Sequence, residues 1–292
     1  MKAQTASKTA QYMAFFRALE TARPESRSLF QDPYARQFLS PTLKLLVILA
    51  SLPIGRGLIP RLVQREAPGA FSSGVARTRH IDDLLEKAVR EGSKQIVILG
   101  AGFDTRALRL DFLRDVAVIE IDHPDTSRSK LQTLGTIMAK LPENVSYCQA
   151  DFNGQSLEEI GIESNIDFGA ATAIVWEGVT NYLSADAVDK TFRWTEKFSR
   201  VDIIFTYIDR KVLDHPGEFA GTENVLAYLR DSEEQWTFGF VPSALPDYLA
   251  KHRLALVEDV SAVQYCTKYM ADRRVTKGYE FYRVALAWRR KP

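Results

Sequence analysis

The chain is expected to fold as an α/β protein: an open, mostly parallel, seven-stranded sheet with helices on both faces and a helical segment in front. Three observations predict this. From residue 95 onward, short apolar runs alternate with segments of helical period, as buried parallel strands joined by helices do. The first run, Gln95-Ile-Val-Ile-Leu99, breaks into Gly100-Ala-Gly102 and a helix start, and the next, Val118-Ile-Glu-Ile-Asp122, ends on a carboxylate. The first ~90 residues carry helical periodicity and no such strand.

Taken in order, Thr9 to Ala22 reads as a helix. Asp32-Pro33 opens another through Phe38, with Asp as N-cap and Pro at the first helical position. The run Leu43 to Leu52 is too short to span a bilayer, which needs ~20 residues, and is expected as a core helix. Pro53, Gly55, Gly57 and Pro60 punctuate the next stretch, and Ser72 to Arg90 is a long helix with Ile81, Leu84, Leu85, Ala88 and Val89 on one face. Strands are expected at Gln95–Leu99, Val116–Ile121, Val145–Ala150, Ala171–Trp176, Val201–Tyr207, Leu254–Asp259 and Glu280–Ala287. Helices are expected at Asp104–Leu113, Thr126–Lys140, Ala185–Phe198 and Pro242–Lys251. The last two strands are separated only by the polar stretch Ser261–Gly278, which predicts an antiparallel final strand. Residues 1–90 are thus expected as a helical segment or lid and 91–292 as the sheet domain, with an aromatic-rich insertion at 208–241 as lid or substrate wall.

Composition narrows the partners. The 38 Lys and Arg balance 37 Asp and Glu, so the overall field predicts neither a nucleic-acid nor a membrane-surface partner. Cys148 and Cys266 form no framework and no metal spacing. Cys148, in Val145-Ser-Tyr-Cys-Gln-Ala150, reads as a buried thiol, and the expected compartment is reducing and cytoplasmic. The four histidines are scattered, so no metal is expected. No G-x-S-x-G elbow supports serine hydrolase chemistry. Oligomeric state is left open.

In an open α/β sheet a ligand sits at the carboxyl ends of the strands. The polar residues there are Gly100, Gly102, Asp104 and Arg106 after the first strand, Glu120 and Asp122 on the second, Asp151 and Phe152 after the third, and Glu177 and Asn181 after the fourth. Glycines at 100 and 102 let backbone approach a ligand closely. Asp104 or Thr105 can cap the next helix. Asp122 can accept from both hydroxyls of a ribose, and Asp151 with the following amide can read an adenine edge. Glu177, leaving a buried strand, needs a cationic partner. Arg77 or Arg79 could hold a carboxylate. The third glycine of a dinucleotide fingerprint is replaced by Thr105, which points away from NAD or FAD and toward a cofactor without pyrophosphate, such as S-adenosylmethionine. An NAD(P)-dependent oxidoreductase is kept as the alternative, with a non-catalytic S-adenosylmethionine-binding protein as the third reading.

The chain resembles the leucine carboxyl methyltransferase family, and within it the bacterial S-adenosylmethionine-dependent O-methyltransferases of polyketide-biosynthesis type. The resemblance rests on Thr9-Ala-Gln-Tyr-Met-Ala-Phe-Phe-Arg17, Asp32-Pro-Tyr-Ala35, Ala76-Arg-Thr-Arg-His-Ile-Asp82, Leu99-Gly-Ala-Gly-Phe-Asp-Thr-Arg106, Glu120-Ile-Asp-His-Pro124, Glu177-Gly-Val-Thr-Asn-Tyr-Leu183, Trp236-Thr-Phe-Gly239 and Gly278-Tyr-Glu-Phe-Tyr-Arg283. It implies the methyltransferase fold with extra N-terminal helices over the site. It also implies Arg77 on the cofactor carboxylate, Gly100 at the methionine part, Asp122 at the ribose, Asp151 and Phe152 at adenine, and Glu177 as the acid closing the fourth strand. The acceptor is expected to be a small molecule bearing a carboxylate or phenol. No catalytic base is assigned. Tyr12, Tyr207, Asn181 and His215 are the positioning candidates, and Tyr12, Phe16, Tyr207, Trp236 and Phe238 the expected chamber wall.

Overall fold

The computed structural model describes residues 8–150, 155–219, 222–231, 235–271 and 279–290. Seven strands form one sheet: β1 (Gln95–Leu99), β2 (Ala117–Asp122), β3 (Val145–Gln149), β4 (Ala171–Trp176), β5 (Arg200–Ile208), β6 (Ala255–Ser261) and β7 (Tyr282–Arg290). Their order across the sheet is β3-β2-β1-β4-β5-β7-β6. Only β7 runs against its neighbours, pairing antiparallel with β5 from Arg200↔Arg290 to Ile208↔Tyr282 and with β6 on its other side. The order reverses between β1 and β4, which opens a crevice at their carboxyl ends.

Every residue of β1 and all but the first of β5 are buried, so both faces must be covered. Strand parity divides the core in two. Ile96, Ile98, Val118, Val175, Ile204 and Val284 face α4 (Ala70–Arg90), α6 (Pro124–Ile137) and the N-terminal helices. Val97, Ile119, Ile174, Trp176, Phe205 and Tyr207 face α7 (Leu157–Glu163), α8 (Ala185–Trp194) and α11 (Leu245–Lys251). On that second face Phe192 stands edge-on to Trp176, Phe205 and Tyr248; each such pair adds roughly 0.5–1.5 kcal/mol beyond its buried area.

The N-terminal segment contains α1 (Lys8–Thr21), α2 (Pro41–Ser51) and α3 (Gly55–Glu66). α1 packs closely on α4, because Gly74 leaves room for Phe16 and Met13. Asp32 accepts the amides of Tyr34 and Ala35, at 3.2 and 2.9 Å, ahead of the short turn Ala35–Phe38, whose N-cap is Tyr34 and not the expected Asp32. That turn is 3-10 rather than the expected α-helix.

Several elements depart from expectation. α3 continues through Pro60, and its turn from α2 is so tight that a side chain at Gly55 would collide with the carbonyl of Leu49. The Leu43–Leu52 run does form a helix, but only Val47 and Ala50 are buried; Leu45, Ile48, Leu49 and Leu52 face outward. The helix after β1 is a single α turn, α5 (Arg106–Arg109), followed by a 3-10 turn at Asp111–Leu113. The insertion carries α9 (Lys211–Asp214) and α10 (Thr222–Asp231). The stretch between the last two strands holds α12 (Ala262–Met270), which buries Ala262, Tyr265, Cys266 and Met270 against α4. The final strand is antiparallel nonetheless. Cys148 is half-buried, because β3 is an edge strand paired only with β2.

Candidate functional site

The site begins where β1 ends. Gly100 and Gly102 take φ of +67° and +50°, the left-handed region glycine enters without strain. The amides of Gly100 and Ala101 donate to the carbonyl of Ile121 at 2.8 and 3.1 Å, folding the turn over β2. A Cβ on Gly100 would lie 2.5 Å from Val179 Cγ2. Asp122 receives the amide of Gly102 and, at 2.6 Å, that of His123. Burial raises its pKa, and the two amides oppose that shift. The carboxylate thus fixes the turn from the end of the neighbouring strand.

Beside the turn is a small cleft lined by Ala101, Gly102, Glu120, Asp122, Ser127, Lys130 and Tyr147. Lys130, fully buried, pairs with Glu120 Oε2. Burial lifts Glu120 to about 7 against the pull of Lys130, and nearby Asp104 and Asp122 add to the rise. Glu120 Oε1 and the Tyr147 hydroxyl are buried there without a partner among the described residues. Bare glycine backbone, a fixed carboxylate and two unsatisfied oxygens fit the hydroxyls and edge of a nucleoside.

Above the turn lies a buried network that sequence reasoning did not foresee. Arg106 is 3% exposed and binds three carboxylates: Asp82 through Nε and Glu177 through Nη2, both at 2.8 Å, and Asp104 through Nη1. Arg77 Nε meets the other oxygen of Glu177 at 2.8 Å. Arg109 joins Asp82 at 2.8 Å and reaches Asp32 at 3.9 Å. Asp32 also takes Arg17 at 2.8 Å and the Thr105 hydroxyl at 2.6 Å. Arginines 17, 77, 106 and 109 therefore balance Asp32, Asp82, Asp104 and Glu177. Burial opposes ionisation of Asp32, Asp104 and Glu177. Yet Arg106 and Lys130 bring Asp104 down to about 2, Arg106 and Arg77 lower Glu177, and Arg17, Arg109 and Thr105 lower Asp32.

Arg106 and Asp104, expected at the cofactor, are thus committed to one another and to the network. Asp104 also accepts the Arg106 amide at 2.7 Å, while Thr105, the N-cap of α5, makes no capping bond with its side chain. Arg77 and Glu177 are brought together as a pair. The Arg77 guanidinium lies 4.5 Å over the Tyr282 ring, with Nη2 at 3.2 Å from Met13 Sδ. Burial works against its charge, and Tyr282 and Glu177 outweigh it. Asp151 and Phe152 lie outside the described residues.

The positioning candidates separate. Asn181 is buried near Tyr282, whose hydroxyl is 3.5 Å from Asn181 Oδ1. Its backbone carbonyl accepts from Thr237 and Phe238, while Nδ2 has no partner among the described residues. Trp236 packs against Phe281 and Tyr282, with a buried Nε1 that has no partner among the described residues. Tyr12 is 43% exposed on α1. Tyr207 is not part of this group. Strand parity turns it to the α8 and α11 face, where its hydroxyl donates to Asp259 at 2.8 Å and receives Arg283 Nε at 2.9 Å. Phe240 stands edge-on to both Tyr207 and Phe238 there, and Phe16 fills the contact of α1 with Phe71. His215 is exposed at the end of α9. His80 lies buried between Tyr269 and Glu258.

Tyr282, Lys130, Asp82 and Arg109 are the site neighbours that sequence reasoning missed. The pattern Asp82 to Arg106 and Arg109 gave no local signal, because partners 24 and 27 residues apart meet only through α4 docking on the turn.

The fold and the glycine turn define an α/β protein of the class that binds nucleoside cofactors at the topological switch of the sheet. Its residues 10–196 match the model of the leucine carboxyl methyltransferase family, and the chain belongs to that family. It is 34% identical over 196 residues to a protein of Rhodococcus jostii, covering 65% of this chain and 61% of the relative. A Mycobacteroides abscessus protein is 31% identical over 225 residues, covering 75% and 67%. Both are provisionally named S-adenosylmethionine-dependent methyltransferases. The chain spans about three fifths to two thirds of the length of these relatives. A crystal structure of a DUF574 family protein from Streptomyces avermitilis superposes with a TM-score of 0.63 over 99% of both chains at 16% identity, and shares the fold.

Proposed function

We propose that the protein is an S-adenosylmethionine-dependent methyltransferase acting on an oxygen of a small molecule. The observation that carries this is the glycine turn pinned by Asp122 beside a cleft with unsatisfied oxygens, in a sheet whose final strand is antiparallel. Membership of the leucine carboxyl methyltransferase family supports it. When bound, S-adenosylmethionine supplies a methyl group on an electrophilic sulfonium.

The protein's work is to hold, orient and exclude water. Asp122 and the Gly100–Gly102 backbone suit the ribose and the sulfur-bearing chain. Arg77 presents a guanidinium for a carboxylate, and Glu177 a carboxylate for an ammonium, without either leaving the other. On the acceptor side, Asn181 Nδ2 and Trp236 Nε1 are two buried donors without acceptors among the described residues, both beside Tyr282. Leaving such groups unpaired costs ~1–3 kcal/mol each, and an oxygen-rich acceptor would satisfy them. A carboxylate is ionised near neutral pH and needs no base, which agrees with the absence of an assigned base. Alignment of acceptor and methyl group can supply ~7–11 kcal/mol of the barrier.

Titration calorimetry with S-adenosylmethionine, S-adenosylhomocysteine and NADH tests the cofactor. Tight binding of the first two alone is expected, and comparable NADH binding would overturn the reading in favour of an oxidoreductase. A screen of small carboxylic acids and phenols with methyl-labelled cofactor then tests transfer. Label incorporated only at nitrogen or carbon would overturn the oxygen assignment.

A further inference from the structure

Seven of the thirteen large apolar side chains exposed among the described residues fall within the α2–α3 hairpin. On α2, Leu45, Ile48, Leu49 and Leu52 repeat at the spacing of one helix face. Ile54, 87% exposed, carries that surface through the turn, and Leu58 and Leu62 continue it on α3. The exposed face of α3 also bears Arg61 and Arg65, so its outward sequence reads Leu58, Arg61, Leu62, Arg65. Residues 41–66 hold four basic side chains, Lys44, Arg56, Arg61 and Arg65, against one acid, Glu66, in a chain that is otherwise nearly neutral.

These cations differ from the paired ones on several surface helices. Arg90, Lys190, Arg193 and Arg210 each pair with an acid one helical turn away. Lys44, Arg61 and Arg65 meet no acid among the described residues. Exposed leucines alternating with unpaired arginines are what an interfacial helix presents to lipid: the apolar groups enter the acyl boundary while the guanidinium groups stay with the phosphates. No helix among the described residues is long and apolar enough to cross a membrane, so the geometry fits contact and not insertion across the bilayer.

We propose that the α2–α3 hairpin docks the protein on an anionic phospholipid surface. A second copy of the chain would cover the apolar residues equally well, but would bring cation against cation, whereas an anionic bilayer complements both features.

The test is flotation of the full chain with vesicles of phosphatidylglycerol and phosphatidylcholine, against vesicles of phosphatidylcholine alone. Binding to the anionic vesicles is expected, weakening as salt is raised. Leu58→Ser/Leu62→Ser and, separately, Arg61→Glu/Arg65→Glu should each reduce partitioning about tenfold or more. All four side chains are outside the core, so circular dichroism should be unchanged. Val257→Ser/Val263→Ser, exposed apolar positions outside the hairpin, should bind as the parent does. Absence of flotation, equal binding to both vesicle types, or undiminished binding by both hairpin variants would overturn the proposal. A dimer that is lost in Leu58→Ser/Leu62→Ser, with no vesicle binding by the parent, would assign the patch to a second copy instead.

Discussion

Replacing Arg106 with Met tests the buried charge network directly. The substitution keeps an unbranched side chain of similar reach and removes the charge that three carboxylates share. Asp82 retains Arg109 at 2.8 Å, and Glu177 retains Arg77 at 2.8 Å. Asp104 retains no ion-pair partner among the described residues, so the loss falls mainly there. Breaking a buried pair costs about 3–5 kcal/mol, which for a chain of this size corresponds to roughly 6–20 °C in Tm. The pH dependence separates this account from simple loss of packing. In the parent, Asp104 is held down to about 2, below its unfolded value near 3.9. Its stabilisation is therefore complete above about pH 4 and is lost as pH falls toward 2. In the variant the same buried acid lacks its counter-charge, so its folded pKa rises above the unfolded one. The variant's penalty is then largest at neutral pH and shrinks as pH falls toward 4. Thermal melts by circular dichroism near pH 7 and pH 4 should show the gap between the two proteins narrowing at the lower pH. A gap of equal size at both, or one under about 2 °C near pH 7, would refute the argument.

Four further substitutions probe the site. Asp122→Asn turns one acceptor oxygen into a donor facing either the Gly102 or the His123 amide; affinity for S-adenosylmethionine should fall by about 1–3 kcal/mol in calorimetry, with a measurable drop in Tm. Gly100→Ala adds a methyl group against Val179 at a positive φ, and should destabilise by roughly 1–3 kcal/mol, read by urea titration; an unchanged midpoint would mean that the turn adapts. Asn181→Ala and Trp236→Phe each remove one unpartnered donor. Both should raise KM for the acceptor while leaving cofactor affinity in place, and a loss confined to cofactor binding would contradict their assignment to the acceptor side.

The strands were readable because runs such as Ile96-Val-Ile-Leu99 and Val201-Asp-Ile-Ile-Phe-Thr-Tyr-Ile208 are buried on both faces and leave little choice of period. The antiparallel end of the sheet was inferred from a missing helix, yet α12 is there. Ala262, Tyr265, Cys266 and Met270 do form a helical stripe, but polar neighbours diluted it. Pro60 hid α3 for the opposite reason, since a proline in an exposed helix is a cost that docking on α2 and α4 can offset. Asp122 and Gly102 were legible together because their spacing is set by one βαβ unit. The pairing of Arg77 with Glu177 was not, because a sequence shows that a buried acid needs a cation without saying which one arrives. Tyr207 was misplaced for want of parity: it shares a face with Phe205, away from the helices that roof the turn.

The charge network also bears on inheritance. Arg17 and Asp32 come from the first forty residues, Arg77 and Asp82 from α4, Asp104, Arg106 and Arg109 from the glycine turn and α5, and Glu177 from the end of β4. The first two regions are each neutral, whereas the turn with α5 carries one net positive charge that Glu177 balances. The N-terminal segment is nevertheless tied to the turn by particular partners, because Arg17 donates to the Phe103 carbonyl and Asp32 accepts from the Thr105 hydroxyl and faces Arg109. A chimera joined near residue 40 keeps those bonds only if the incoming segment carries both Arg17 and Asp32. Variation in acceptor choice is therefore expected to accumulate around Asn181, Trp236 and the insertion, where side chains can change without unbalancing the interior.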